Sequence, residues 1–517
     1  MQFNGQKPLK MRIVPVLALM ALALTACGGP ASSTAGKDQA KSAAGGSAQS
    51  GPVEVSIMTI TPSTPPAADD NVLKREIEKL THSKLNIQWI SNNVYNDKLN
   101  ITLASGQIAD LTYISDPFNP SFRSLVRQGA IWDLTPYLKD YPNLKNGVPD
   151  VAWELTKLED GKNYGIPRGR DANDVSFLIL RKDWLDKLEL KPPATTDELY
   201  GVLKAFAEQD PDGNGKKDTF GLSTDMDTLT GTFQGIFTGV TGSWKEAAGK
   251  LTYAPFLPET RNSIEYLAKL YKEKILPEDQ LSLKITQIRD LYKGNRAGAV
   301  IDKTGTGPKI FAPDLKKIVP AYKEADFYPL ASINGYVPKG TGFNGILAIP
   351  KSVPEEKLKS ILKLVDTWLT TEVSSVQRFG IEGVHYQVKD GVKVTIPEKL
   401  QADNASDFNQ IVNSIDPALN PPPANQQLKD LEDLRAKVDA ERVKVSVPDI
   451  GVGLYSPAAE KLLPDLEKRI ADLKAKIIIG QEPLSSWDAL VKKTESDPQF
   501  IKATEEISSA YQKRSGK

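Results

Sequence analysis

The most specific chemistry in the chain is a run of oxygen-bearing side chains at alternate positions. In DPDGNGKKD these are Asp210, Asp212, Asn214 and Asp218, with Lys216 placed to offer a backbone carbonyl. Gly213 and Gly215 permit a sharp turn. This is the ligand spacing of an EF-hand loop at positions one, three, five, seven and nine, with glycine at six. Hard oxygen donors on a flexible loop suit Ca2+ better than zinc or magnesium. The bidentate glutamate of position twelve is replaced by Gly221, which leaves Thr219, Asp225, Asp227 or water to complete the shell. The alternative is a solvated turn rich in Asp, Asn and Gly.

Regular elements must position this loop. Val175 to Leu180 is a near-continuous apolar run and reads as a buried strand. Pro192 and Pro193 end what precedes, Thr195 caps a helix, and Glu198 completes a capping box. Leu199, Leu203 and Phe206 then recur at helical spacing and lead into the acidic loop. Nearer the start, strands at Val53–Ile57, 85–91 and 111–114 alternate with helices at 72–80 and 96–104, Asp69 or Asp70 capping the first. Such alternation predicts a largely parallel, doubly wound α/β sheet, whose ligands lie beyond the carboxyl ends of the strands. Those ends carry Thr61 and Ser63, Ser91 and Asn92, and Ser115 and Asp116. Gly/Pro-rich passages at 145–170 and 335–353 separate two strand–helix series. The stripe Leu358, Ile361, Leu362, Val365 and Leu369 reads as core packing. A proline-rich stretch at 417–424 precedes an amphipathic helix, and helices at about 458–479 and 485–512 end the chain.

The chain has 517 residues, 65 basic and 65 acidic side chains, two histidines and one cysteine. That length predicts two or three domains. There is no basic stripe for nucleic acid, and little from which to build a zinc site or a Cys/His nucleophile. Lys7, Lys10 and Arg12 precede the apolar run Ile13 to Leu24, which is short for a membrane span and reads as a signal sequence over 1–26. The run ends in LTAC, similar to a bacterial lipobox, which implies lipidation of Cys27. Residues 27–51, rich in Ser, Ala and Gly, read as a flexible tether. The expected product is extracytoplasmic and lipid-anchored to the cell membrane, on a Gram-positive surface.

The order of motifs resembles the extracellular solute-binding proteins of family 1, the lipoprotein receptors of ATP-binding-cassette sugar importers. The long members that take up alginate oligosaccharides are the more similar. The resemblance covers about 53–512 and rests on SGQIADL (105–111), YGIP (164–167), RKDWLDKLEL (181–190) and the PPATTDEL after it, and DPDGNGKKD. It rests also on LAKLYKEKIL (267–276), YKGNRAGAV (292–300), GIEGVHY (380–386) and SPAAEKLLPDLEKRI (456–470). Ala109 stands where the family usually has proline, and Thr219 where it has an acid. The resemblance implies a two-lobe periplasmic-binding-protein-like fold (type II) with a hinge between lobes. Residues 53–170 plus 341–416 would form one lobe and 171–340 plus 417–517 the other. It also implies a structural Ca2+ away from the ligand, an oligosaccharide in the cleft, ABC permease subunits as partners, and a monomer without catalytic residues.

For ligand contacts the expectation is Ser63 and Asp116 at strand ends, Tyr164 and Arg168 (with Arg170) at the hinge, and Trp244 stacking from a loop-like stretch. Glu382, His385 and Tyr386 follow from the GIEGVHY match. Trp184 is assigned to packing and His82 to a helix end. Two other classes compete. A cell-surface glycosidase or lyase needs paired carboxylates across the scissile bond, and no nucleophile elbow or H-E-x-x-H accompanies the acids. A calcium-dependent adhesion scaffold would repeat its loop, and this loop occurs once.

Overall fold

The computed structural model describes residues 51–389, 391–416, 419 and 426–516. The signal sequence, Cys27, nearly all of the tether and most of the proline-rich stretch lie outside these residues. β1 (Val53–Thr61) pairs in parallel with β2 (Ser83–Ser91) along its whole length and with β3 (Leu111–Ile114). Val55, Ile57, Met58 and Thr59 of β1 are all buried, as befits a strand covered on both faces. The helices Val72–Thr81 and Tyr95–Ser105 make the connections. Asn71, rather than Asp69 or Asp70, caps the first, its side chain accepting from the N–H groups of Leu73 and Lys74. His82 closes that helix in the left-handed region at φ 50° and is exposed.

After β4 (Ile166–Gly169) the chain leaves this sheet. It forms β5 (Phe177–Arg181), β6 (Phe220–Ser223), a hairpin of β7 (Trp244–Ala247) and β8 (Lys250–Tyr253), then β9 (Ala297–Asp302), β10 (Phe327–Pro329) and β11 (Val337–Pro338). β12 (Phe343–Ala348) returns to the first sheet. A second hairpin, β13 (Tyr386–Lys389) and β14 (Val392–Thr395), follows, and β15 (Ser446–Val447) pairs with β11. The two main sheets have the orders β2-β1-β3-β12-β4 and β10-β5-β9-β6.

Each sheet carries its own core. One holds Leu73, Ile77, Phe122, Ile346, Leu362 and Trp368; the other holds Phe177, Leu203, Phe206, Phe233, Leu267 and Trp487. Burying each such side chain contributes about 1.5–3 kcal/mol. The sheets are mixed and not largely parallel. β12 runs antiparallel to both β3 and β4, because it arrives from the far lobe instead of from a crossover helix. In the second sheet β6 and β9 are parallel, while β5 opposes both β9 and β10.

The crossings between lobes run side by side. The Arg170 N–H donates to Gly342 O, and the Gly340 N–H to Ala172 O, both at 2.9 Å. The Lys339 N–H donates to Val447 O at 2.9 Å, which ties in the later β15 segment. A bulge in β12, between Phe343 and Ile346, sits next to these crossings. Gly345 has φ 67°, and a Cβ there would lie 2.4 Å from both Ile114 O and Tyr113 Cε2. The backbone therefore approaches Tyr113 as only glycine permits.

The last expected helix is two, Leu484–Glu495 and Pro498–Ser515. Asp497 caps the second, and Pro498 takes its first position. Among the described residues no helix is long and apolar enough to cross a membrane.

Candidate functional site

The strand ends of the first lobe supply polar turns. Thr61 Oγ1 accepts the Ser63 N–H at 2.9 Å. Ser63 Oγ donates to Asp407 Oδ1 at 2.7 Å, and Asp407 Oδ2 accepts the Ala67 N–H at 3.0 Å. Asp407 is fully buried, so Ser63 is first of all a brace for the turn after β1. Beyond β3, Asp116 accepts the Phe118 N–H at 2.9 Å. Burial pushes the Asp116 carboxyl up, against the pull of that N–H and of Arg123. Asn119 then caps the helix Pro120–Arg127.

That helix meets the other lobe. Arg123, 4 % exposed, bonds Glu159 at 2.6 Å and lies over the Tyr455 ring at 4.6 Å and the Phe118 ring at 5.4 Å. Arg127 reaches Glu460 at 3.8 Å, and the Tyr455 hydroxyl bonds Glu460 at 3.2 Å. Phe118, Arg123 and Tyr455 were not among the expected site residues. Phe118 follows Asp116 in a strand-end loop and was within reach of that argument. Tyr455 comes from a segment more than 300 residues later, and nothing in its local sequence marks the contact.

The hinge residues are more deeply set than expected. Arg168 is 2 % exposed; its Nη1 donates to Gln410 O at 2.7 Å, its Nε to Asn344 O at 3.2 Å, and its plane lies 3.9 Å from the Tyr113 ring. Tyr113 in turn donates to Asn344 Oδ1 at 3.0 Å. Tyr164 packs on the first core and donates to Asp160 at 2.7 Å. Burial and that bond raise its phenol above the ordinary value.

The GIEGVHY segment folds back on itself. Gly380 has φ 78°, and a Cβ there would lie 2.3 Å from the His385 Cβ. His385 is 0 % exposed. Its Nδ1 accepts the Ile381 N–H at 3.1 Å, and its Nε2 lies 2.9 Å from Asp403 Oδ2. This corrects the expectation of a ligand contact: both ring nitrogens are committed inside the protein. Glu382 is exposed and accepts from the Tyr386 hydroxyl, while the Tyr386 ring packs on Phe379 and beneath Lys393. Trp244 is also corrected. It lies in β7, 5 % exposed, against Tyr253 at 5.2 Å, with Gly451 at its edge, and offers no face for stacking. Trp184, as assigned, packs on Phe206.

The acidic loop turns at Asp210, which has φ 50°. Asp210 accepts the Asn214 and Gly215 N–H groups, each at 3.0 Å. The Asn214 amide nitrogen lies between Asp212 at 2.7 Å and Asp218 at 3.1 Å. Burial raises the Asp212 carboxyl, and its contact with Asp210 raises it further. Among the described residues no three acidic, His or Cys side chains converge as a metal cage. The donor set nevertheless fits a hard cation: rotating the Asn214 amide would present its oxygen where its nitrogen now holds two carboxylates together. The outer candidates are engaged elsewhere. Thr219 Oγ1 donates to Phe206 O at 2.8 Å, and Asp225 caps the helix Met226–Thr238. At position twelve a Cβ on Gly221 would lie 2.4 Å from Leu203 O and 2.5 Å from Ile275 Cγ2, so packing of the preceding helix excludes the usual glutamate. Lys187 donates to Pro211 O at 2.8 Å, placing a positive charge on the loop's outer side.

Known proteins resemble the chain along most of its length. The family model described as "Bacterial extracellular solute-binding protein" matches residues 61–374. The polygalacturonan/rhamnogalacturonan-binding protein YtcQ of Bacillus subtilis (strain 168) is 33% identical over 510 residues, 96% of this chain and 98% of that one. Lipoprotein LipO of the same organism is 28% identical over 470 residues, 85% and 88% of the two chains. The crystal structure of the alginate-binding protein AlgQ2 without calcium ion superposes with a TM-score of 0.68 at 19% identity, over 90% of this chain and 98% of that one. Two α/β lobes with paired crossings, and a sequence match through both, place the chain in the bacterial extracellular solute-binding protein family.

Proposed function

We propose that the chain is the lipid-anchored receptor of an ABC importer, capturing an oligosaccharide between its lobes and delivering it to the permease. The observation that carries this is the match to the polygalacturonan/rhamnogalacturonan-binding protein over 96% of the chain. Residues 53–170 with 341–416 and 171–340 with 417–517 are the bodies that close, turning about the bonded crossings at 170–172 and 340–342. Closure allows ligand to select one arrangement that the permease recognises. Ser63, Asp116, Tyr164, Glu382 and Tyr386 remain proposed ligand contacts, and Phe118 and Tyr455 join them as the aromatic faces a pyranose ring needs. Cys27 carries the lipid on the outer face of a Gram-positive membrane, in keeping with the lipoprotein relative. A structural Ca2+ is held by Asp210, Asp212, Asn214, Asp218 and the Lys216 carbonyl, where its positive charge would offset the crowded carboxylates, of which Asp212 is raised by burial and by Asp210. The receptor is monomeric and is not an enzyme.

The test is calorimetric titration of the chain from Gly51 onward with plant and bacterial oligosaccharides, read together with compaction by small-angle scattering. Heat with compaction for at least one class is expected. A panel that gives neither, or one whose members are cleaved during titration, overturns the reading.

A further inference from the structure

The hairpin of β13 and β14 gathers exposed apolar side chains that neither main core accounts for. Val384, Val388, Val392 and Val394 are 43, 49, 40 and 38% exposed. The register pairs Tyr386 with Thr395, Gln387 with Val394, Val388 with Lys393 and Lys389 with Val392. Alternation therefore sets Tyr386 and its packing on one face and turns Val392 and Val394 out on the other. Among the described residues no third strand joins this pair, so both edges are open. Its base is nevertheless fixed. The Ile396 N–H donates to His385 O at 2.7 Å, and Phe379, Tyr386 and Leu419 form a small apolar cluster of their own. The hairpin is a braced projection, where an isolated two-stranded ribbon would be marginal.

Its anchors place it at the cleft end of the first lobe. His385 bonds Asp403, whose carbonyl accepts from the Asn71 side chain at 2.7 Å, and Asn404 Nδ2 donates to Pro65 O at 3.2 Å. Pro65 lies in the turn just past the carboxyl end of β1. At the same end Trp89 and Ile90, near the close of β2, line an open groove with Val94 and Ile101, which are 53 and 65% exposed. Trp89 meets Phe408, the chain neighbour of Asp407, at 5.9 Å. Six of the fourteen exposed large apolar side chains among the described residues thus rim one end of one lobe. Apolar surface concentrated in this way marks a contact with another macromolecule.

Position and charge select the occupant. A sugar leaving the cleft for a permease crosses this end, so the permease must meet it. β1 is nine residues long, about 30 Å, and the tether joins its opposite end at Val53. Residues 27–51, fully extended, would reach about 80 Å, enough for the cleft end to turn towards the membrane that holds Cys27. Lys389 and Lys393 against one acid, Asp390, leave the hairpin positive. That charge fits an acidic partner face and opposes pairing with a second copy. Valines on both faces of a narrow ribbon, without Trp or Phe, do not make the broad face of a lipid-inserting element.

We infer that the β13–β14 hairpin and the groove at the same end form the surface through which the receptor docks on the extracytoplasmic face of its permease. This rests on the importer reading above and adds to it the contact that hands the sugar over.

The experiment uses the full-length chain in its own cells, as their sole copy of the receptor. One variant combines Val388→Asp with Val392→Asp. A milder one, Val392→Ser with Val394→Ser, replaces it if the first melts earlier than the parent. A third carries a photo-cross-linking benzophenone residue at position 394. With a sugar from the panel above that binds the parent, the folded variant should keep the parent's Kd and melting temperature. Uptake into cells should fall, by about ten-fold or more for the aspartate pair, since docking would bury unpaired carboxylates. Irradiation should join position 394 to a membrane-spanning subunit. Parent-like uptake in a variant that folds overturns the inference, as do cross-links confined to a second copy or to phospholipid. If no sugar binds the parent, the capture reading falls by itself, and the cross-link still decides this one.

Discussion

His385 and Lys474 carry the clearest consequences of single side chains. His385 links the Ile381 N–H to Asp403 through its two nitrogens, which places its proton on Nε2. His385→Ala would leave a cavity and an unpaired buried N–H, a loss of about 2–4 kcal/mol. The denaturant midpoint should fall accordingly, and an unchanged midpoint would contradict the structural role. Lys474 is buried, held by Gln234 Oε1 at 2.7 Å near the Trp487 ring, and burial pushes its ammonium down to about 8. The unfolded chain keeps this proton up to its ordinary value near 10.5. Between about 8 and 10.5 the unfolded state therefore binds more protons, and stability from this group rises with pH. The cost is fully present below pH 8, on the order of 3 kcal/mol. Lys474→Met should be most stabilising relative to the parent at pH 7, with the difference shrinking towards pH 10 in matched urea titrations. Letters alone misplaced His385 and Trp244 because motif membership shows which residues stand near a site but not how deeply they are buried.

Among the elements, the capping box of Thr195 and Glu198 and the buried strand before it were legible because both depend on neighbours in sequence. The closing of the acidic loop was not, because Gly221 answers to Leu203 and Ile275. Gly221→Glu, the change that would restore a twelfth-position ligand on paper, should instead cost about 1–3 kcal/mol or more through overpacking. It should give no tighter calcium binding by calorimetry. In the parent, chelation should lower the melting point, since a hundredfold excess of metal over Kd contributes about 2.7 kcal/mol. An identical melt with calcium and with chelator would remove the metal from the account. Gly345 sets a similar limit on β12. Gly345→Ala places a Cβ at positive φ against Ile114 O and should cost at least 1–3 kcal/mol, seen as a lower denaturant midpoint.

At the scale of the molecule, alternation of strands and helices foretold α/β lobes, but not that β12 would run against its neighbours. Strand direction depends on where the chain has travelled in between, which periodicity does not record. The lobes touch through Arg123, Arg127, Tyr455 and Glu460. Tyr455→Ala removes the ring that Arg123 and Arg127 both approach, at 4.6 and 5.9 Å, and small-angle scattering of the free receptor should then report a broader range of lobe separations. An unaltered scattering profile would mean that the bonded crossings alone hold the lobes at their present angle.

The place of β12 also governs the order in which the molecule can come into being. β3 and β4 have no hydrogen bonds to each other; each pairs with β12, which the ribosome makes about 170 residues after β4. Until then β4 has no partner strand, and β3 offers an open edge through which chains can join one another. Closing so long a separation is slow, and a half-made chain is open to aggregation throughout that wait. A fragment ending after β4 should therefore fail to fold, and the nascent receptor depends on being kept unfolded until its middle has been synthesised.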